Sequence, residues 1–262
     1  MKISGIKIPA GVTITAPAQA PEPPPIPQGI DRVQYFQEST SNSNYSKTVT
    51  DLQENDVMFV FVQAIGTQYS DAPTGWTQIS GAKRKYNRVP GHGVAFNAYY
   101  KVCDNSGSHT YEVGYVPSGS ATSHLVAYRN LRVADGASPI GQVSTFAHHN
   151  YEVYPAMDLH EYNNSDSSDD DTSWVLFFGQ HELGHRDLFG PSPSGGSINV
   201  PLDAVGDSTL RKRTFYEARN QTEDVAAHYR FIPNNTVFTG GVQKNLGVIG
   251  IGIELLSQQF KG

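Results

Sequence analysis

The strongest hydrophobic signal in the chain is the apolar run Val57–Val62, continued past Gln63 by Ala64 and Ile65. The polar turn Glu54-Asn55-Asp56 precedes it and Gly66 closes it. An apolar run of this length, rich in valine and phenylalanine and bounded by turn residues, predicts a strand buried on both faces. Shorter apolar or alternating runs predict strands near Val33–Gln37, Lys47–Thr50, Thr77–Ser80, Val94–Val102, Thr110–Val116 and His124–Arg129. Others follow near Gln142–Phe146, Trp174–Phe178, Leu210–Ala218, Ala226–Ile232 and Val248–Leu256. Helical periodicity surfaces only weakly, at Phe215–Asp224. Many short strands separated by Gly, Pro, Asn and Ser predict an all-β fold, a β-sandwich or jelly roll.

The central run has an echo. Val57–Gln63 (VMFVFVQ) aligns with Trp174–Gln180 (WVLFFGQ), and each follows an acidic turn, Glu54-Asn55-Asp56 in one case and Asp169-Asp170-Asp171 in the other. His124–Leu131 has a similar counterpart in Val248–Leu256. Two similar halves forming one core are therefore expected, with Ala134–Ser173 joining them.

Upstream of Gly29 the pattern changes. Ile6-Lys7-Ile8 and Val12-Thr13-Ile14-Thr15 alternate apolar and polar around the turn Pro9-Ala10-Gly11. Each piece puts its apolar side chains on one side of a short strand. Residues 16–28 carry six prolines, the composition of a stiff, extended spacer. Residues 1–28 thus form an extended N-terminal arm with a Pro-rich linker, and residues 29–262 a β-sandwich domain. Lys7 and Pro9 interrupt the apolar stretch, so an anchoring arm is expected here, not a secretory signal. The assembly residues expected in it are Ile6, Ile8, Val12 and Ile14. They would fill alternate pockets of a partner while main-chain hydrogen bonds add the strand to its sheet.

Composition narrows the partners. A formal charge of −6 argues against nucleic acid, and no apolar run reaches the roughly 20 residues of a membrane span. Cys103 is the single cysteine, so no intrachain disulfide framework exists. At the end of a strand it is expected to be inert or half-buried.

The one stretch that spells a catalytic motif is His181-Glu182-Leu183-Gly184-His185, an HExxH sequence. Zinc hydrolysis through it needs a helix, so that the two histidines face one metal and Glu182 acts as base on the bound water. Here a strand pattern ends at Gly179 and Gly190-Pro191 follows, so a solvated loop matching Ala64–Gln68 is expected. The acidic residues in Asn163–Asp171 offer oxygen ligands for Ca²⁺, but the stretch lacks the EF-hand glycine and terminal glutamate, so a soluble connecting loop is expected. His148, His149 and His160 are a further candidate metal cluster, which spacing alone does not place together. Arg211-Lys212-Arg213 reads as the exposed end of a strand. Trp76, after Pro73-Thr74-Gly75, is expected to plug the core between sheets. The alternative makes it, with Tyr69 and Tyr86, a sugar-stacking platform. No phosphate loop or nucleophile elbow is present, so no enzyme activity and no cofactor is expected.

A series of short motifs carries a resemblance: Asn55-Asp56 before an apolar strand, Pro73-Thr74-Gly75-Trp76-Thr77, Ala98-Tyr99-Tyr100-Lys101-Val102 and Val126-Ala127-Tyr128-Arg129-Asn130. It resembles a β-sandwich domain of tailed-phage structural proteins and bacterial surface proteins. Asn55 and Asn130 stand where that pattern has glycine, and asparagine tolerates the positive φ such turns need. The resemblance implies a non-enzymatic virion component, a capsid decoration or tail-associated protein. Its implied partners are other virion proteins and copies of itself. The alternatives are a module binding host-surface glycan and, through HELGH, a zinc-dependent hydrolase.

Overall fold

The computed structural model describes residues 29–41, 45–65, 72–89, 92–113, 120–133, 136–148, 152–155, 157, 159, 173–182, 198–208, 211–221, 228–230 and 247–258. Its first half contains β1 (Asp31–Ser41), β2 (Tyr45–Leu52), β3 (Val57–Ile65), β4 (Thr77–Gln78), β5 (Arg84–Val89), β6 (His92–Val102), β7 (Gly107–Val113) and β8 (Ser120–Arg129). The second contains β9 (Ile140–His148), β10 (Glu152–Tyr154), β11 (Ser173–Glu182), β12 (Ile198–Ser208), β13 (Arg211–Gln221), β14 (His228–Arg230) and β15 (Gly247–Leu255). The architecture is all-β, with antiparallel sheets packed together in the manner of a β-sandwich.

The two halves repeat one topology. The first large sheet runs β1-β8-β3-β6, with β4 and β5 both pairing the far edge of β6. The second runs β9-β15-β11-β13-β12. Each half also sets aside a two-stranded sheet, β2-β7 in the first and β10-β14 in the second. Replacing β1, β8, β3, β6 and β5 by β9, β15, β11, β13 and β12 converts one order into the other. The echo in the sequence is thus a duplicated fold, with β3 and β11 as equivalent central strands. Ala134–Ser173 is more than a join, because β9 and β10 lie inside it and belong to the second half.

Strand alternation decides where the core goes. In β3, Val57, Phe59 and Phe61 face the second large sheet and pack with Trp174, Leu176, Phe178 and Phe215. The intervening Met58, Val60, Val62 and Ala64 face the other way, onto Val49, Leu52 and Tyr111 of β2 and β7. Every residue from Val57 to Ala64 is buried, Gln63 included, as the apolar run on either side of it predicts. In the second half Val175, Phe177, Tyr216 and Ala218 form a smaller cluster with Met157 on the outer side.

Some expectations give way. Over Phe215–Gln221 the weak helical signal belongs to a strand, since β13 runs to Gln221 paired with β11, and Thr222–Asp224 lie outside the described residues. Phe215 and Glu217 stand on alternate positions of that strand, and tertiary pairing overrides a marginal local period. β5, β10 and β12 give no sequence signal strong enough to read, because each carries polar residues or a proline and gains its order from a neighbouring strand.

Candidate functional site

At one end of the sandwich several polar connections of the described residues meet. Gly29, the first of the described residues, accepts a hydrogen bond at its carbonyl from Asn130 Nδ2 at 3.0 Å. The backbone N–H of Gln258 donates to Asn130 O at 2.8 Å. One asparagine therefore ties both the entry to β1 and the segment beyond β15. Asn130 adopts φ 64° and Asn55 φ 71°, the left-handed region expected for these two turn positions.

Beside this hub, Asp56 is buried and receives Arg129 through both of its oxygens, Nε to Oδ1 at 2.9 Å and Nη2 to Oδ2 at 2.8 Å. Gln53 N–H donates to Oδ2 at 2.7 Å, and Arg129 Nη2 also reaches Asp51 O. The bond to Asp56 holds the guanidinium charged, pushing its pKa above the usual arginine value. A cleft of about 190 Å³ opens between this pair and Leu131, Val133 and Gln258. It is smaller than the roughly 300–1,000 Å³ of a small-molecule site. Its ion pair is spent on fixing the turn between β2 and β3. Asp56 and Arg129 stand inside the motif series, and their pairing across 73 residues has no local signature.

At the opposite end lies a buried polar seam between the two halves. Gln63 Nε2 donates to Gly179 O at 3.0 Å, and Gln180 Nε2 donates to Ala64 O at 2.5 Å. Gln63 and Gln180 occupy equivalent positions of β3 and β11, so each half's glutamine bonds the other half's backbone. His124 joins them. With the Gln63 amide committed to Gly179, His124 Nε2–H donates to Gln63 Oε1 at 2.9 Å, and its Nδ1 lies 3.0 Å from the Tyr35 hydroxyl. The sequence holds a signal for this seam, a glutamine ending each copy of the apolar echo.

A third polar centre links the sheets. Glu217, fully buried, accepts from Tyr128 OH at 2.6 Å, Arg32 Nη1 at 2.8 Å and Arg219 Nη2 at 3.1 Å. Burial first, and then the charge and hydrogen bond of Glu217, raise the Tyr128 phenol well above its ordinary pKa. Glu254, also buried, accepts from Ser173 Oγ and the Gln142 N–H. These are structural locks, with both partners committed to each other.

The HExxH stretch does not lie wholly in a loop. β11 continues to Glu182, and His181 and Glu182 pair with Val248 and Gly247 on one side and with Lys212 and Arg211 on the other. The strand outlasts its apolar run because its neighbours extend alongside it. A strand sends successive side chains to opposite faces, unlike the helix that the zinc geometry needs. Leu183 to His185 lie outside the described residues, as do Asn163–Asp171, His149, His160, Tyr69 and the arm residues Ile6, Ile8, Val12 and Ile14. Among the described residues no three His, Cys, Asp or Glu side chains come together as a metal site. Arg211-Lys212-Arg213 opens β13, at a strand end as expected.

Trp76 is a plug, but on the outer side of the first large sheet. It packs with the cluster that includes Met58 and Leu52, its ring 4.7 Å from Tyr111. Tyr86 packs on the opposite face of that sheet, against the core between the large sheets. These two aromatics cannot share one sugar platform.

Cys103 is buried, and desolvation first, then the charge of Asp56, pushes its thiol from the ordinary 9.0 up to about 11. At pH 8 the folded protein should leave a disulfide-exchange reagent unreacted, and denaturant should release one thiol. Rapid native reaction would contradict the burial. Between pH 9 and about pH 11 the unfolded chain ionises this thiol before the folded one does. Stability should therefore fall with rising pH across that window, and less so in Cys103→Ala.

Comparison of the chain with protein-family models, with curated proteins and with solved structures finds no match.

Proposed function

We propose that this chain is a non-enzymatic structural protein of a tailed-phage particle, a capsid decoration or tail-associated component. Residues 1–28 attach it and the sandwich faces outward. The observation that supports this reading best is the polarity of the molecule. Gly29 leaves the sandwich at the end tied by Asn130, while Ile65, Val113 and Glu182 end their strands at the opposite one. A body held by its first residues would therefore present the other end to its surroundings. The motif series around Asn55, Trp76, Tyr100 and Arg129 agrees with the same class. The arm supplies two short strand-forming pieces, and the proline spacer sets reach, roughly 40 Å for thirteen residues at about 3.1 Å each. Attachment is by strand addition, with Ile6, Ile8, Val12 and Ile14 seated in alternate pockets.

The test is to supply full-length protein, or protein lacking residues 1–28, to particles assembled without it. Both should be folded by circular dichroism, because the described core begins at Ile30. Only the full-length chain should sediment with particles. Equal incorporation of the truncated chain would end the reading.

A further inference from the structure

We infer that the buried seam around His124 is an acid-sensitive latch: a proton taken up by this one imidazole loosens the union of the two halves at the end where their glutamines cross. The inference rests on the fold and stands independently of any attachment to a particle. His124 lies on β8 opposite Phe61 of β3 and Gln37 of β1, and it is 1% exposed. Its ring sits among other rings, 5.3 Å from Phe215, 6.1 Å from Tyr35 and 6.2 Å from Phe178. It thus meets strands of both halves.

The hydrogen bonds are complete with a neutral ring. Gln63 commits its amide N–H to Gly179 O, so Oε1 accepts from His124 Nε2–H, and Nδ1 accepts from the Tyr35 hydroxyl. A second proton would go to Nδ1. The Tyr35 hydroxyl would then have to turn its hydrogen toward Gln37 Oε1, at 3.0 Å, and accept from the imidazolium instead. One charge-assisted hydrogen bond of this kind moves a pKa by roughly 1–2, whereas full burial moves it by up to about 3–5. Burial wins. The folded ring resists a proton that the unfolded chain accepts below about pH 6.5.

The charged groups on the neighbouring strands do not reverse this. Among the described residues, β13 brings Glu217 and Arg219 to the inner face beyond Phe215, and β1 brings Arg32. The Glu217 carboxylate is met by both arginines and by Tyr128 of β8, so its charge is answered locally. From β1 the ring meets the Tyr35 phenol, which is neutral in acid. Phe61 and Gln63 of β3 and Phe178 and Gln180 of β11 carry no charge. Opening the seam exposes the ring, which takes up its proton in acid and opposes reclosure. The bonds beside it cross between the halves, Gln63 to Gly179 and Gln180 to Ala64. The opposite end is held by other groups, Arg129 on Asp56.

A buried ring that stays neutral contributes stability that is complete above about pH 6.5 and is lost as pH falls below it. The experiment compares the full chain with full-length His124→Gln, whose amide keeps a donor for Gln63 and does not titrate. In urea unfolding, the unfolding constant of the unmodified chain should rise about 30-fold relative to that of the variant between pH 8 and pH 5, nearly all of it below pH 6.5. At pH 5 the amides of Gln63, Ala64, Gly179 and Gln180 should exchange at least about tenfold faster than those of Val57–Phe59, after correction for intrinsic rates. Nitrogen NMR of the unmodified chain reads the ring without any variant: Nε2 protonated and Nδ1 bare, still so at pH 5.5, where an exposed imidazole is mostly charged. A folded His124 that charges at or above its ordinary pKa would overturn the inference. So would a ratio of unfolding constants that stays level from pH 8 to pH 5, or equal exchange at the two ends of β3.

Discussion

Phe178→Ala lowers the unfolding free energy by about 3–5 kcal/mol, the range for truncating a fully enclosed phenylalanine. Phe178 is 1% exposed, and its ring lies 4.5 Å from Phe61, 5.0 Å from Phe96 and 4.4 Å from Phe215. Phe61 and Phe178 hold equivalent positions of β3 and β11, so this contact is where the two halves meet. The loss combines the transfer energy of the ring with a cavity that three stiff aromatic neighbours cannot collapse to fill. In a domain of this size it corresponds to a fall in Tm of roughly 6–20 °C. Phe178→Leu should cost less than half as much. Urea unfolding of the single variants and of the double variant with Phe61→Ala should give a coupling of about 0.5–1.5 kcal/mol. A loss below about 1 kcal/mol, against the usual cost of such a truncation, would show that the halves are not joined through this cluster.

Glu217→Ala should cost a comparable amount, about 3–5 kcal/mol, by a different mechanism. The carboxylate is fully buried and accepts from Tyr128, Arg32 and Arg219. Removing it leaves the Tyr128 hydroxyl enclosed without its Glu217 acceptor and takes one carboxylate from Arg32 and Arg219. The arginines themselves are 21% and 27% exposed, so Arg32→Ala should cost only about 1 kcal/mol or less, with solvent screening what remains. The asymmetry is the test. Equal losses at Glu217 and Arg32 in thermal unfolding would mean that the ion pair, and not the buried acceptor, holds the sheets at this point.

Much of the fold is legible in the residues. The run at Val57–Ile65 and its echo at Trp174–Gln180 identify the two central strands, because an apolar segment between turn residues is a local property. Asn55 and Asn130 mark positive-φ turns for the same reason. The candidate site is less legible. Asp56 and Arg129 are visible as residues of a motif, but their ion pair depends on β8 lying beside β3. Trp76 announces a plug without saying which side of the sheet it closes. The HExxH stretch illustrates the limit from the other direction, since the letters suggest a helix and the neighbouring strands impose an extended backbone on its first two residues.

By itself the sequence determines an all-β chain, its central strands and their duplication, and a proline-rich composition in residues 16–28 unlike the rest. These follow from alternation, run length and turn residues, which act over a few positions. The tertiary structure alone decides that each half's glutamine bonds the other half's backbone and that Glu217 collects its partners from β1, β8 and β13. These depend on which strands become neighbours after the chain has closed on itself. Residues more than a hundred positions apart are brought into contact by burial of the apolar faces, and no local pattern specifies which polar groups that burial brings together.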